Sequence, residues 1–151
     1  MSLNLVELDT YDVPLLEELV RLQEETFGEL GLNEGTLPLM IRFERVFLLK
    51  RDDEIIGSAE LMKNWKDAGS AFLVGFSIKA AERRKGLGRL FLRQLMDSIK
   101  TEVSKVELTV SPQNQAALKL YAQVGFEEAG FWKDVYGKGE DRLLLRLRLA
   151  E

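Results

Sequence analysis

The sequence predicts an α/β (α+β) protein with a sheet of about seven strands. Segments in which apolar and polar residues alternate, typical of strands, are interspersed with segments whose apolar residues recur every three or four positions, typical of helices. In chain order they give β-α-α-β-β-β-α-β-α-β-β, a pattern of helices packed on a sheet. A length of 151 residues is that of one domain, and no repeat or low-complexity linker divides it. We therefore expect one domain over residues 1–151.

Each element is assigned from its periodicity and from the residues at its ends. Strands are predicted over residues 3–8, 46–50, 55–62, 71–78, 106–110 and 143–149, with one more between the last helix and residue 143. Helices are predicted after residue 12, over residues 34–45, from residue 86, and from residue 114 to residue 125. Asp12 and Asn114 are good N-cap residues, and Gly125 is typical of a helix end. The strand-like runs on either side of residues 51–54, a turn-rich quartet, predict an antiparallel hairpin.

Gly75 interrupts the apolar run of residues 71–78. A glycine inside a strand often marks a β-bulge, or a point where the backbone comes close to a ligand. We therefore expect the fourth strand to be irregular, or to meet a ligand, at this residue.

The composition excludes several kinds of chemistry, because the chain has no cysteine and no histidine. Disulfides, thiol nucleophiles, cysteine- or histidine-based zinc sites and the Ser-His-Asp triad are therefore excluded. Any general acid or base must be Asp, Glu, Tyr, Lys or a water. No apolar run approaches the length of a membrane span, and the first residues lack the basic region of a secretory signal. We expect a cytoplasmic protein with no metal and no membrane partner.

Charge is distributed unevenly along the chain. The net charge of −4 and the isoelectric point of about 5.1 argue against a nucleic-acid partner. Residues 1–40 hold nine acids and one base, a net charge of −8, while the other 111 residues have a net charge of +4. The first quarter of the chain is thus anionic and the remainder is mildly cationic.

The turn at residues 78–89 lies between a predicted strand and a predicted helix. Glycines let the backbone approach a bulky ligand, and free N–H groups at a helix N-terminus attract anions. Four cations accompany them, namely Arg83, Arg84, Lys85 and Arg89. The dinucleotide pattern would need a glycine at Phe91, and the Walker pattern would need Gly-Lys followed by Ser or Thr. The turn is therefore a candidate phosphate site of another kind, with a solvated basic turn as the alternative.

A second motif lies downstream of this turn. It has the form Asn114-x-x-Ala117-x-x-Leu120-Tyr121, followed by Gly125-Phe126. Together with the Arg-x-x-Gly-x-Gly turn at residues 83–88 and the strand before it, this motif resembles the GNAT family of acetyl-CoA-dependent N-acetyltransferases. The resemblance covers the element order over essentially the whole chain. It implies a central mixed sheet of about seven strands with a bulged central strand, flanked by about four helices.

The resemblance also implies that acetyl-CoA binds at the turn. The amides and cations of the turn would hold the pyrophosphate of coenzyme A, and the backbone of the preceding strand would pair with the pantetheine arm. Gly75 would form the family's bulge, which separates two neighbouring strands so that the acyl-pantetheine lies between them. The implied cofactor-binding residues are Phe76, Ser77, Ile78, Arg83, Arg84, Lys85, Gly86, Leu87, Gly88, Arg89, Asn114, Ala117 and Tyr121.

Tyr121 is the catalytic acid that the resemblance implies. A phenol beside the thioester sulfur can protonate the departing thiolate. The alternative is a packing residue on the apolar face of its helix. The general base stays open between Glu107, Glu60 and a water. Members of the family that acetylate the N-terminus of ribosomal proteins have a glutamate where Thr109 stands in this chain.

The implied acceptor site lies under the first two helices, in the anionic part of the chain. We expect a primary amine as substrate, either a small cationic amine of the polyamine or amino acid type, or a lysine or N-terminal amine of a peptide, because anionic walls attract cations. The candidate substrate residues are Glu25, Phe27, Glu29 and Tyr136. The alternative function is a non-catalytic acyl-CoA-binding sensor or assembly module, and the family also implies that a homodimer can form.

Overall fold

Seven strands form one sheet in the computed structural model, which describes residues 2–149. The elements are β1 (Leu3–Leu8), α1 (Val13–Phe27), α2 (Leu37–Phe43), β2 (Arg45–Arg51), β3 (Glu54–Lys63), β4 (Ser70–Ile78), α3 (Leu87–Ile99), β5 (Lys105–Val110), α4 (Gln115–Val124), β6 (Glu127–Trp132) and β7 (Arg142–Arg148). The predicted order and number of strands are confirmed. Residues 1, 150 and 151 of the predicted domain lie outside the described residues.

The sheet has the order β1-β2-β3-β4-β5-β7-β6, and every pairing is antiparallel except that of β4 with β5. That parallel pairing is short. It joins only residues 70–72 of β4 to residues 105–107 of β5. From residue 73 onward β4 therefore has backbone groups without a strand partner on its β5 side, and a gap opens in the middle of the sheet.

The gap begins where β4 is bulged. Glu60 of β3 lies opposite Gly75, whereas the next residue, Leu61, lies opposite Leu73, so Val74 is an extra residue on β4. A bulge bends its strand and increases the local twist, which turns the second half of β4 away from β5. The bulge predicted at Gly75 is confirmed.

Two apolar cores lie on opposite faces of the sheet. The larger core lies under α3 and α4 and includes Phe76, Phe91 and Leu95. The smaller core lies under α1 and α2 and includes Leu19 and Leu48. On β2 alternate residues face the two cores, with Phe47 and Leu49 in the larger core and Val46 and Leu48 in the smaller one, as the period of a strand requires.

Local signals explain where the helices begin and end. The Asp12 side chain accepts a hydrogen bond from the Leu15 N–H (2.9 Å), as an N-cap does. Gly125 ends α4 with φ of 114°, a conformation that favours glycine.

The second helix is shorter than the predicted span of residues 34–45. The Asn33 N–H donates to Thr36 Oγ1 (2.9 Å) and the Gly35 N–H donates to Asn33 Oδ1 (2.9 Å), so these residues form a turn before α2 begins. None of the helices within residues 2–149 is long and apolar enough to cross a membrane.

Candidate active site

The predicted phosphate-binding turn joins the end of β4 to α3. Gly86 is the N-cap of α3, with φ of 78°, and no side chain caps the first turn of this helix. A Cβ at this φ would be strained, so glycine suits the position. The uncapped N–H groups at the start of α3 are the donors that an anion needs.

Positive charge surrounds this helix start. The four predicted cations are all exposed. Lys85 is paired with Glu82 (3.3 Å), which also binds Arg51 (2.9 Å), and Arg83 Nε donates to the Ile78 carbonyl (3.0 Å). These contacts fix the course of the turn. Within residues 2–149, Arg84 and Arg89 form no ion pair, and their charges are free for a ligand.

The second motif lies beside the turn, because α4 packs against α3. A Cβ added to Gly88 would lie 3.2 Å from Leu120 Cδ2, so the glycine allows the two helices to approach closely. Asn114 Oδ1 accepts from the Ala117 N–H (3.1 Å), which confirms the predicted helix cap. Contact of Asn114 and Ala117 with coenzyme A stays a prediction.

Glu60 lies directly over the bulge. A Cβ added to Gly75 would overlap Glu60 Oε1, so the glycine makes room for the carboxylate. Glu60 is fully buried, and Gln23 Nε2 of α1 donates to its Oε1 (2.8 Å). Burial raises the pKa of Glu60 to about 7, against the lowering effect of the hydrogen bond from Gln23. Glu60 Oε2 has no hydrogen-bond partner among the described residues.

Tyr121 approaches the same part of β4 from the other face of the sheet. Its ring lies edge-on to Phe76 (6.5 Å between centroids) and to Phe126 (5.6 Å), and its side chain is buried. Burial in this apolar setting raises the pKa of the Tyr121 hydroxyl above its usual range. The phenol therefore stays protonated at neutral pH, as a general acid must be.

Glu107, the other predicted base, is engaged elsewhere. Arg146 of β7 lies opposite it in the sheet and binds its carboxylate through Nε (2.7 Å) and Nη2 (2.6 Å). The Glu107 carboxylate is therefore occupied by an ion pair within the sheet, whereas Glu60 Oε2 has no partner among the described residues. Of the two carboxylates, Glu60 has the environment of a base.

The four predicted substrate residues do not form one cluster. Glu25 of α1 accepts a hydrogen bond from the Ala80 N–H (3.0 Å), so it is tied to the phosphate-binding turn. Phe27 is 37% exposed at the end of α1, and Glu29 lies exposed in the short 3-10 helix that follows. Tyr136 is 45% exposed on the loop before β7.

Sequence reasoning did not assign a role to Gln23 or Thr109. Gln23 recurs at helical spacing with the apolar residues of α1, and a polar residue in such a position is a signal of a buried hydrogen bond. Thr109 Oγ1 forms a hydrogen bond with the Tyr136 hydroxyl (3.0 Å), so it anchors the loop before β7. No sequence signal marks that pair, because its members are far apart in the chain.

The model of the acetyltransferase (GNAT) family matches residues 10–126, which include both motifs and the bulged strand. The chain belongs to this family. The predictions of the family, which is one of acetyltransferases, and of its fold are confirmed.

Curated proteins include a relative that this chain matches over part of its length. A curated relative, the [ribosomal protein bS18]-alanine N-acetyltransferase of Salmonella typhimurium, is 32% identical over 84 residues, 53% of this chain and 57% of that protein. The chain thus aligns with just over half the length of this relative.

Solved structures of the fold include two with ligands. Arabidopsis thaliana Naa50 in complex with the bisubstrate analogue CoA-Ac-MVNAL has a TM-score of 0.78 at 19% identity, over 97% of this chain and 99% of that one. An Elizabethkingia anophelis GNAT acetyltransferase with acetyl-CoA bound has a TM-score of 0.74 at 16% identity, over 97% and 98% of the two chains. At these identities the likeness concerns the fold.

Proposed function

We propose that residues 1–151 form an N-acetyltransferase domain that transfers the acetyl group of acetyl-CoA directly to a primary amine. The observation that carries this proposal is that a protonated phenol, Tyr121, and a titratable carboxylate, Glu60, lie against adjacent residues of β4, Phe76 and Gly75, from opposite faces of the sheet. Family membership supports the reaction class.

The residues present fit coenzyme A. The uncapped start of α3 and the free cations Arg84 and Arg89 suit a pyrophosphate. The backbone of β4 beyond residue 72 has unpaired groups facing the gap, and these suit the amides of pantetheine. Bound acetyl-CoA would supply an activated acyl thioester at the bulge.

Proton transfers are assigned to two side chains. Glu60 Oε2 accepts the proton of the attacking amine, directly or through one water, and the Tyr121 hydroxyl donates a proton to the sulfur. As the new C–N bond forms, the C–S bond breaks, and the products are an N-acetylated amine and coenzyme A. No metal or covalent enzyme intermediate is required for this balance.

The substrate class that we propose is a primary amine with positive charge. The anionic first quarter of the chain would attract such an amine, and Glu29, Phe27 and Tyr136 are the candidate contacts with it. A small cationic amine and the N-terminal or lysine amine of a peptide both have these properties. The names of the bS18-alanine relative and of the Naa50 complex support the second alternative, an amine of a peptide. We also propose a cytoplasmic location.

The test is amine-dependent release of thiol from acetyl-CoA, with spermidine, lysine and a short alanine-starting peptide as acceptors. The chain has no cysteine, so a thiol reagent reports coenzyme A without background from the protein. We expect release with at least one acceptor class, together with the acetylated amine by mass spectrometry. Tight binding of acetyl-CoA without turnover on any amine would favour a non-catalytic acyl-CoA-binding module. Light scattering during size-exclusion chromatography tests for a homodimer.

A further inference from the structure

Gln23 is a polar residue within the apolar inner face of α1. Its side chain is 1% exposed, and its neighbours Leu19 and Leu22 are buried as well. A buried primary amide is costly unless its hydrogen bonds are formed. The two bonds that Gln23 makes therefore account for its presence there.

The orientation of this amide is fixed by the chain that follows α1. Gln23 Oε1 accepts from the Leu32 N–H (3.1 Å), and a backbone N–H can only donate. The oxygen of the amide must therefore face Leu32, which leaves Nε2 facing Glu60 Oε1 (2.8 Å). One amide thus joins the connection between α1 and α2 to the buried carboxylate.

This contact makes the two oxygens of Glu60 unequal. Oε1 accepts the Gln23 N–H, which stabilises negative charge on that oxygen and makes it the less basic of the two. Protonation therefore favours Oε2, which has no partner among the described residues. In the catalytic cycle proposed above, Oε2 is the atom that must take and release the proton.

The connection after α1 lies tightly against this residue. A Cβ added to Gly31 would lie 2.9 Å from the Gln23 carbonyl oxygen, so the chain passes close to α1 immediately before Leu32. Movement of Leu32 away from α1 would release Gln23 Oε1 and, with it, the fixed orientation of the amide.

We infer that Gln23 is a positioning residue that directs proton transfer to Glu60 Oε2 and couples it to the connection between α1 and α2. Its catalytic part rests on the proposed function, while the coupling between Leu32 and Glu60 does not. A change in the protonation of Glu60 alters its hydrogen bond with the Gln23 amide and, through that amide, the hydrogen bond of the Leu32 N–H. A displacement of Leu32 alters the same two hydrogen bonds in the reverse order.

Neutral groups surround Glu60. Those on its face of the sheet or packed over it are Ser58 of β3, Gly75 and Ser77 of β4, Val46 of β2 and Gln23 of α1. The charged side chains that join α1 to the segment after β4 are satisfied there, by the pairs Glu18 with Lys79 (2.9 Å) and Glu25 with the Ala80 N–H (3.0 Å). Gln23 is therefore the group whose removal changes the titration of Glu60 most directly.

The test compares Gln23→Met, which keeps the length of the side chain and removes both hydrogen bonds, with Leu19→Met as a matched control on α1. NMR follows the Glu60 carboxyl carbon and the Leu32 amide as pH is raised. In the unmodified chain we expect the chemical shifts of the Glu60 carboxyl carbon and of the Leu32 amide to titrate with the same midpoint pH. In Gln23→Met the Glu60 midpoint rises by about one pH unit, because a hydrogen bond to the ionised form is lost, and the Leu32 amide no longer titrates. Leu19→Met keeps the shared midpoint.

A second variant tests the same coupling in case Gln23→Met does not fold. Glu60→Gln keeps the shape of the side chain and removes its charge change, so we expect the Leu32 amide to lose its titration. A Leu32 amide that titrates equally in Glu60→Gln, or a Glu60 midpoint unchanged in Gln23→Met, overturns the inference.

The catalytic part has its own readout. In Gln23→Met we expect kcat to fall about tenfold and the acidic limb of the pH profile to move to higher pH with the Glu60 midpoint, while KM for acetyl-CoA stays the same. Turnover with an unmoved limb overturns the positioning role. If no amine supports turnover, the proposed function fails, and the NMR titration still decides the coupling.

Discussion

The two faces of the sheet give an ionisable side chain different surroundings near the bulge of β4. On the α3 and α4 face, Tyr121 is surrounded by the rings of Phe76 and Phe126. On the α1 and α2 face, Glu60 has Gln23 as its partner and two buried serines on the same strand face, whose hydroxyls lack partners among the described residues.

Desolvation raises the pKa on both faces, yet the consequence differs because the starting values differ. Burial moves the Tyr121 pKa further above neutrality, so the phenol remains a proton donor. Burial moves the Glu60 pKa from 4.5 to about 7, so this carboxyl exchanges its proton at neutral pH. One physical effect thus leaves a protonated phenol on one face and a carboxyl that titrates near neutral pH on the other, which are the states that the proposed acid and base need.

Removing the acid should have the largest effect. In Tyr121→Phe we expect kcat to fall on the order of 10²- to 10³-fold, because general acid catalysis is lost. The hydroxyl forms no hydrogen bond with another residue in 2–149, so the melting temperature should change little. Thiol release and thermal unfolding measure the two quantities. An unchanged kcat would make Tyr121 a packing residue.

The base should make stability depend on pH. Because its folded pKa exceeds its unfolded value of 4.5, the fold binds this proton more tightly, and stability is lost as pH rises from 4.5 through about 7. We expect the free energy of unfolding to fall on the order of 3 kcal/mol over this window. Glu60→Gln should remove that component. Urea unfolding at pH 5 and pH 8 measures it, and identical pH dependence in both proteins would contradict the assignment.

Filling the bulge should disturb both faces. A methyl group at Gly75 would overlap the Glu60 carboxylate, so Gly75→Ala should lower kcat about tenfold and cost about 2 kcal/mol of stability. Gly130→Ala on β6 is the control, since its new methyl group meets only Leu144, at an ordinary contact distance of 3.6 Å from Cδ2. Equal losses of kcat in the two variants would argue against a special role of the bulge.

The smallest effect concerns the two predicted substrate acids, which are both exposed but differ in their contacts. Glu25 accepts a hydrogen bond from the Ala80 N–H of the predicted phosphate-binding turn, whereas Glu29 lies on the short 3-10 helix after α1. We expect Glu25→Gln to raise KM for acetyl-CoA a few-fold and Glu29→Gln to raise KM for the amine a few-fold. Steady-state kinetics with each substrate varied in turn distinguish them. If both changes affect only the amine, the earlier assignment of Glu25 to the substrate is the better one.

Much of the fold was predictable because its signals are local. The cap at Asp12, the αL glycines Gly86 and Gly125 and the bulge at Gly75 each act through the backbone within a few residues. The residues of the two motifs and the element order carried the resemblance to the family, which the family model confirms. The bounds of α2 were less accurate, because the side chains of Asn33 and Thr36 favour a turn where propensity alone extends the helix.

By itself, the sequence determined the element order and the family, and it predicted the phosphate-binding turn and the role of Tyr121. Only the tertiary structure distinguished Glu60 from Glu107, because their partners come from distant parts of the chain. Gln23 is 37 residues from Glu60, and Arg146 is 39 residues from Glu107. A pKa depends on what lies within a few ångströms of the carboxylate in space, and no local pattern records that.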